Sequence, residues 1–161
     1  MIIRSAVKKD LPTIIAIEQA CFPSAEAATA QSLAQRLDAF GERFLVAVDD
    51  NDNPIGFING CLTNQTTITD DLFVDITTHQ PDGAYQAIFG LDVLPSYRRQ
   101  GIAAQLMKAL ITLAQNGGQK GVILTCKEHL IAYYAKFGFQ NAGVSQSVHG
   151  GAIWYDMLLS F

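Results

Sequence analysis

One stretch constrains the fold more than any other: residues 87–118, AIFGLDVLPSYRRQGIAAQLMKALITLAQNGG. Ala87–Leu94 is apolar nearly throughout, so it reads as a central strand covered on both faces, and Pro95 ends it. From Ile102 the apolar positions 102, 106, 109, 110 and 113 form a helical stripe, which Gly117 and Gly118 stop. A strand that turns directly into a helix of this length belongs to an α/β sheet. The turn itself is unusual for an acidic chain of net charge -4, because it places Arg98 and Arg99 just ahead of Gly101 and a pair of alanines.

A helix start offers unpaired backbone N–H groups at the positive end of the helix dipole, which together make an anion site. Gly101 and Ala103 would let a phosphate come close to that backbone, and the arginines add forked, charged donors. The dipole alone is worth only about 0.3–2 kcal/mol, so arginines and several N–H groups must act together on a multiply charged ligand. There is no GxxxxGK[ST] and no GxGxxG with an acidic residue about 20 positions on, which disfavours nucleoside triphosphates and dinucleotides. By spacing alone, the same residues also describe a solvated turn.

The remaining pattern alternates. Residues 1–7 read as an edge strand, Asp10–Phe22 as a helix with Asp10 as N-cap and Pro12 in its first turn, and Ala25–Phe40 as a second helix. Phe44–Val48 and Pro54–Leu62 form two strands joined by the turn DDNDNP. Residues 63–83 are polar and undecided. After the 87–118 unit come a strand at Gly121–Cys126, a helix at His129–Phe137 broken by Gly138, and closing strands at 139–144 and 152–159. The expectation is a mixed α/β sheet of about seven strands with about four helices, in one domain spanning 1–161, burying about 70% of its unfolded surface.

Composition excludes several classes. An acidic balance with no basic face argues against nucleic-acid binding. No run approaches the ~20 apolar residues of a membrane span, and the N-terminus lacks a signal-peptide pattern. Three cysteines at wide spacing, Cys21, Cys61 and Cys126, read as reduced thiols in a cytoplasmic protein. No His/Cys/Asp cluster has metal-ligand spacing, so no metal is expected.

The loop Arg98-Arg-Gln-Gly101-Ile-Ala103, after a strand ending L-D-V-L-P, resembles the coenzyme A pyrophosphate loop of the GNAT superfamily of N-acetyltransferases, [Q/R]-x-x-G-x-[G/A]. Downstream, L124-T-C-K-E-H-L-I-A-Y-Y134-A-K-F-G-F139 is similar to the segment of arylalkylamine (serotonin) N-acetyltransferases that ends in F-Y-x-[R/K]-F-G-F. The element order also fits that fold, although residues 1–80 match only in pattern. The resemblance implies that backbone groups of Leu91, Asp92 and Val93 hold the pantetheine arm. It implies that Arg98, Arg99, Gln100, Gly101, Ile102, Ala103 and Ala104 hold the pyrophosphate of acetyl-coenzyme A, and that Tyr134 protonates the departing thiolate. By spacing alone Tyr134 shares a helical face with Leu130, Ile131 and Phe137 and reads as core, while Tyr133 reads as packing.

The implied reaction is acetyl transfer to a small arylalkyl- or polyamine-like primary amine by direct attack, in a monomer or homodimer. Two alternatives stand beside it: a protein or peptide amine as acceptor, and a coenzyme A-binding regulatory module without turnover. The family's two strand histidines align with Ala87 and Phe89, which carry no protons, so a base must come from elsewhere. His149, in S-V-H-G-G, and Glu26, between the first helices, are the candidates. A turn histidine and a first-turn helix carboxylate are the plain alternatives. His79, Asp70, Asp71 and Asp75 read as a polar loop, His129 as a helix start and Cys126 as a small buried apolar residue. Trp154 and Tyr155 are left between core packing and an aromatic acceptor wall.

Overall fold

The apolar run Ala87–Leu94, expected as one strand, divides at Phe89. In the computed structural model, which describes residues 1–161, Tyr85–Ile88 (β5) belongs to one sheet and Gly90–Val93 (β6) to another. The chain accordingly resolves into two compact units, residues 1–60 with 89–113, and residues 61–88 with 114–161.

The first unit holds β1 (Ile2–Ser5), α1 (Leu11–Cys21), α2 (Ala30–Phe40), β2 (Phe44–Val48), β3 (Pro54–Asn59) and β6, and it holds residues 102–113 of the helix that follows β6. Its sheet runs β1-β2-β3-β6 with every neighbour antiparallel. β2 and β3 are buried along their whole length, as their unbroken apolar sequences require. Ile14 and Ile17 of α1 and Leu33 and Leu37 of α2 pack with Phe44, Val46, Val48 and Phe57, and the Phe44 and Phe57 rings lie 5.5 Å apart. At α1 the expected cap differs. Asp10 precedes the helix but its carboxylate turns back, accepting from the Val7 N–H at 2.8 Å and from both guanidinium ends of Arg4 at 2.7 and 3.0 Å. α2 starts at Ala30 rather than Ala25, because the Thr29 hydroxyl accepts from the Ser32 N–H and sets the first turn there.

The second unit holds β4 (Leu62–Thr63), α3 (Asp70–Val74), β5, β7 (Gly121–Cys126), α5 (Ile131–Ala135), β8 (Gln140–Val144) and β9 (Tyr155–Ser160). Its order is β4-β5-β7-β9-β8, with β5 and β7 parallel and the other pairs antiparallel. The 15-residue helix α4 (Ile102–Asn116) connects the units, burying Ile102, Leu106, Met107 and Leu110.

The architecture is therefore the expected mixed α/β fold, with nine strands rather than seven and five α-helices. The undecided 63–83 segment contains β4, α3 and a 3-10 turn at Ile76–Thr78. The last strand begins at Tyr155, so Trp154 lies in the loop before it. The three cysteines are free, and no helix is long and apolar enough to cross a membrane.

Candidate functional site

β6 is the outer strand of its sheet, so its backbone hydrogen-bonds to β3 along one edge and leaves the other edge outside that ladder. Beyond it a 3-10 turn at Pro95–Tyr97 leads to two left-handed residues, Arg99 at φ 64° and Gly101 at φ 80°. Gly101 meets that requirement freely, and nothing crowds its Cα. Arg99 is not a glycine, and its conformation costs on the order of 1–2 kcal/mol. The first α4 N–H with a helical partner is that of Gln105, which donates to the Gly101 carbonyl at 3.1 Å. The N–H groups of Ile102, Ala103 and Ala104 therefore have no partner inside the helix. A turned loop, a glycine and two small alanines leave this helix start open to an anionic ligand.

The two arginines differ. Arg98 folds back: its Nε donates to the Val93 carbonyl at 3.1 Å and Nη2 approaches Cys21 Sγ at 3.6 Å, while Cys21 Sγ itself lies 3.3 Å from the same carbonyl. Arg98 thus fastens the end of β6 to α1. Arg99 is exposed.

Asp92 was expected to contribute its backbone; its side chain is the less expected feature. It is 1% exposed, and neither carboxylate oxygen meets a donor. The nearest ionisable group is Glu18 of α1, 6% exposed, whose Oε2 accepts from the Ala28 N–H at 2.7 Å. Asn59 of β3, fully buried, receives Arg36 Nη1 on Oδ1 at 3.3 Å and leaves Nδ2 without an acceptor. Burial, and then the neighbouring Glu18 carboxyl, hold the Asp92 carboxyl well above the usual range. Arg36 pulls the other way. The Arg36 guanidinium also lies 4.8 Å over the Phe89 ring. Sequence reasoning missed Glu18 and Asn59, although each left a signal: a carboxylate next to Ile17 on the buried face of α1, and an amide in a strand otherwise free of polar side chains.

The other candidates lie in the second unit or in turns. Tyr134 is half-buried on α5, edge-on to Tyr133 at 5.2 Å and to Phe139 at 6.1 Å. Burial raises the Tyr133 phenol. His149 stacks on Phe73 at 5.4 Å, 13° from parallel, and stands 6.1 Å from Trp154, whose Nε1 donates to the His149 carbonyl at 2.8 Å. Asp70 holds this turn from α3, accepting from the Ser147 hydroxyl and from the Val148 N–H. The polar 63–83 segment is thus tied to the loop carrying His149. Asp71 and Asp75 bond locally to Thr69 and Thr77. His79 accepts the Leu62 N–H on Nδ1 at 3.1 Å. Glu26, half-buried, sits in a turn rather than the first turn of a helix. Cys126 is buried and its thiol is pushed up to about 11, so it is no ready nucleophile.

An edge strand running through a glycine loop into a helix start makes an α/β protein with a ready anion site. The model of the acetyltransferase (GNAT) family matches residues 11–139, and the chain belongs to that family. It is 32% identical over 135 residues to the probable hydrolase YhcX of Bacillus subtilis (strain 168), covering 77% of this chain and 25% of that protein. It is 30% identical over 107 residues to the serotonin N-acetyltransferase of Mesocricetus auratus, covering 66% of this chain and 50% of that one. The chain thus spans a quarter to a half of these curated relatives. Among solved structures, the GphF GNAT-like decarboxylase in complex with isobutyryl-CoA superposes with a TM-score of 0.85 at 16% identity, over 99% of each chain.

Proposed function

We propose that residues 1–161 form one acetyltransferase domain that transfers the acetyl group of acetyl-coenzyme A to a primary amine, the acceptor being a small arylalkyl- or polyamine-like amine. The observation that carries this reading is the β6–loop–α4 geometry: a strand with one edge outside its ladder, a loop turned by left-handed Arg99 and Gly101, and three helix-start N–H groups. Leu91, Asp92 and Val93 would line the pantetheine arm, and Arg99, Gln100, Gly101, Ile102, Ala103 and Ala104 would take the pyrophosphate, with Arg98 fastening strand to loop. Family membership and the serotonin N-acetyltransferase similarity support the amine.

The chemistry sets what the chain must supply. Attack on the thioester carbonyl builds an oxyanion and expels a thiolate of pKa about 8.5, so a positioned acid lowers the barrier. Tyr134 is the residue assigned to it. An unperturbed phenol near pKa 10 would give up that proton uphill by about 2 kcal/mol, so transfer is concerted with departure. An alkylamine is neutral only about one part in a thousand near pH 7, which costs about 4–5 kcal/mol and calls for a base.

Coenzyme A thiol release across arylalkylamines, polyamines, amino acids and short peptides tests the reading. Tyr134→Phe should slow turnover about 10- to 100-fold while coenzyme A affinity stays within about twofold. Equal turnover removes Tyr134 as the acid, and turnover on peptides alone moves the acceptor to a protein amine.

A further inference from the structure

We propose that Asp92 and Glu18, a buried carboxyl pair beside Gly90, accept the proton that the attacking amine sheds. The proposal rests on the acetyl-transfer reading. A methyl group placed on Gly90 would lie 3.2 Å from Asp92 Oδ1, 3.7 Å from Asn59 Nδ2 and 3.8 Å from Glu18 Oε1. Three polar atoms therefore converge on one point that the glycine leaves clear. One of them is an amide nitrogen without an acceptor, and another belongs to a carboxylate without a donor. Gly90, by lacking a side chain, thus leaves the two carboxyls and the Asn59 amide grouped at one place with no group of the chain between them.

Position ties this cluster to the reaction. Gly90 opens β6, the strand assigned to the pantetheine arm, and Asp92 lies on it. The groups facing Asp92 are Glu18 and Cys21 of α1, Arg36 of α2 and Asn59 of β3. With both carboxylates ionised the pair carries two negative charges, against a single guanidinium, and one added proton relieves their repulsion.

The proton count closes. The ammonium nitrogen gives up two protons as its C–N bond forms and the C–S bond breaks. One ends on the coenzyme A sulfur by way of Tyr134; the other passes to the carboxyl pair and then to solvent.

The test compares pH profiles of kcat/KM at saturating acetyl-coenzyme A for the wild type, Asp92→Asn and Glu18→Gln. Each variant is checked for fold by circular dichroism and for coenzyme A binding. Wild-type activity should rise with pH along a limb above the ordinary carboxylate range, because Asp92 must be ionised to accept the proton. Asp92→Asn, which mimics the protonated acid, should lose that limb and slow about 10²- to 10³-fold with a strongly basic alkylamine. With an acceptor of pKa below about 6, already neutral on arrival, the loss should shrink to a few-fold. A purely structural residue would slow both acceptors alike. Glu18→Gln carries the same expectation and decides the matter if Asp92→Asn does not fold. An unchanged limb, or equal losses with both acceptors, overturns the proposal while leaving acetyl transfer standing. A wild type silent on every amine overturns acetyl transfer itself and the proposal with it.

Discussion

Asp10 and Asp92 stand in the same compact unit, at 2% and 1% exposure, and their carboxyls move in opposite directions. Burial pushes both upward. At Asp10 the Arg4 guanidinium and the Val7 N–H overcome it and hold the carboxyl below the usual range. At Asp92 the closest ionisable neighbour is another carboxyl, so burial and repulsion act together, and Arg36 offsets them only in part. A buried carboxylate with an arginine fork and an amide belongs to the scaffold. One buried against a second carboxyl is kept at a cost to stability, and such perturbed groups concentrate at functional sites.

The largest expected effect breaks the Asp10 side. Arg4→Ala leaves a buried carboxylate with one backbone donor and should lower stability by about 2–3 kcal/mol at pH 7, read from urea unfolding. Asp10 has a depressed native pKa, so its contribution is present above the unfolded value near 4 and fades as pH falls through the native one. The Arg4→Ala deficit should therefore shrink in acid below about pH 4. A deficit that holds constant there would deny that the ion pair is its cause.

The second expectation runs with the opposite sign. Asp92 has a raised native pKa, so its contribution is full below the unfolded value near 4 and is lost as pH climbs toward the native one. Across that window the wild type should lose up to about 1.4 kcal/mol per pH unit relative to Asp92→Asn, which has no proton to release. Parallel unfolding curves for the two proteins between pH 5 and 8 would mean that Asp92 ionises as an ordinary surface carboxylate does.

How much of this contrast was legible in the sequence depends on the range of the interactions. The β6–loop–α4 unit could be read because strand, turn and helix are contiguous and each follows a local rule: apolar run, Pro95, left-handed Gly101, helical stripe. The Thr29 cap was equally local, yet the alanine-rich 25–30 segment satisfied helix propensity just as well and drew the expected start five residues early. The break at Phe89 was invisible, because it depends on which of two sheets each half of one apolar run joins. Ser147 reaches Asp70 across 77 positions, and Glu18 meets Asp92 across 74. Such pairings arise only when the sheet order is known, so the sequence could flag Glu18 and Asn59 as misplaced polar residues but could not say that they converge.

The smallest expected effect sharpens what burial contributes. Asp52 joins the Asp10 network, accepting from Lys9 Nζ at 2.8 Å and Arg4 Nε at 3.0 Å, and its carboxyl is likewise held below the usual range. It has two cationic partners where Asp10 has one, but its side chain is 48% exposed. If partner count decided stability, Asp52→Asn would cost more than the loss of Arg4. If desolvation decides, water and salt already screen both contacts, and the urea midpoint of Asp52→Asn should coincide with that of the wild type in about 0.5 M salt. A shift that survives salt would mean that Asp52 restrains Arg4 for its bond to Asp10, and the two aspartates would then form one coupled unit rather than a buried pair with a screened neighbour.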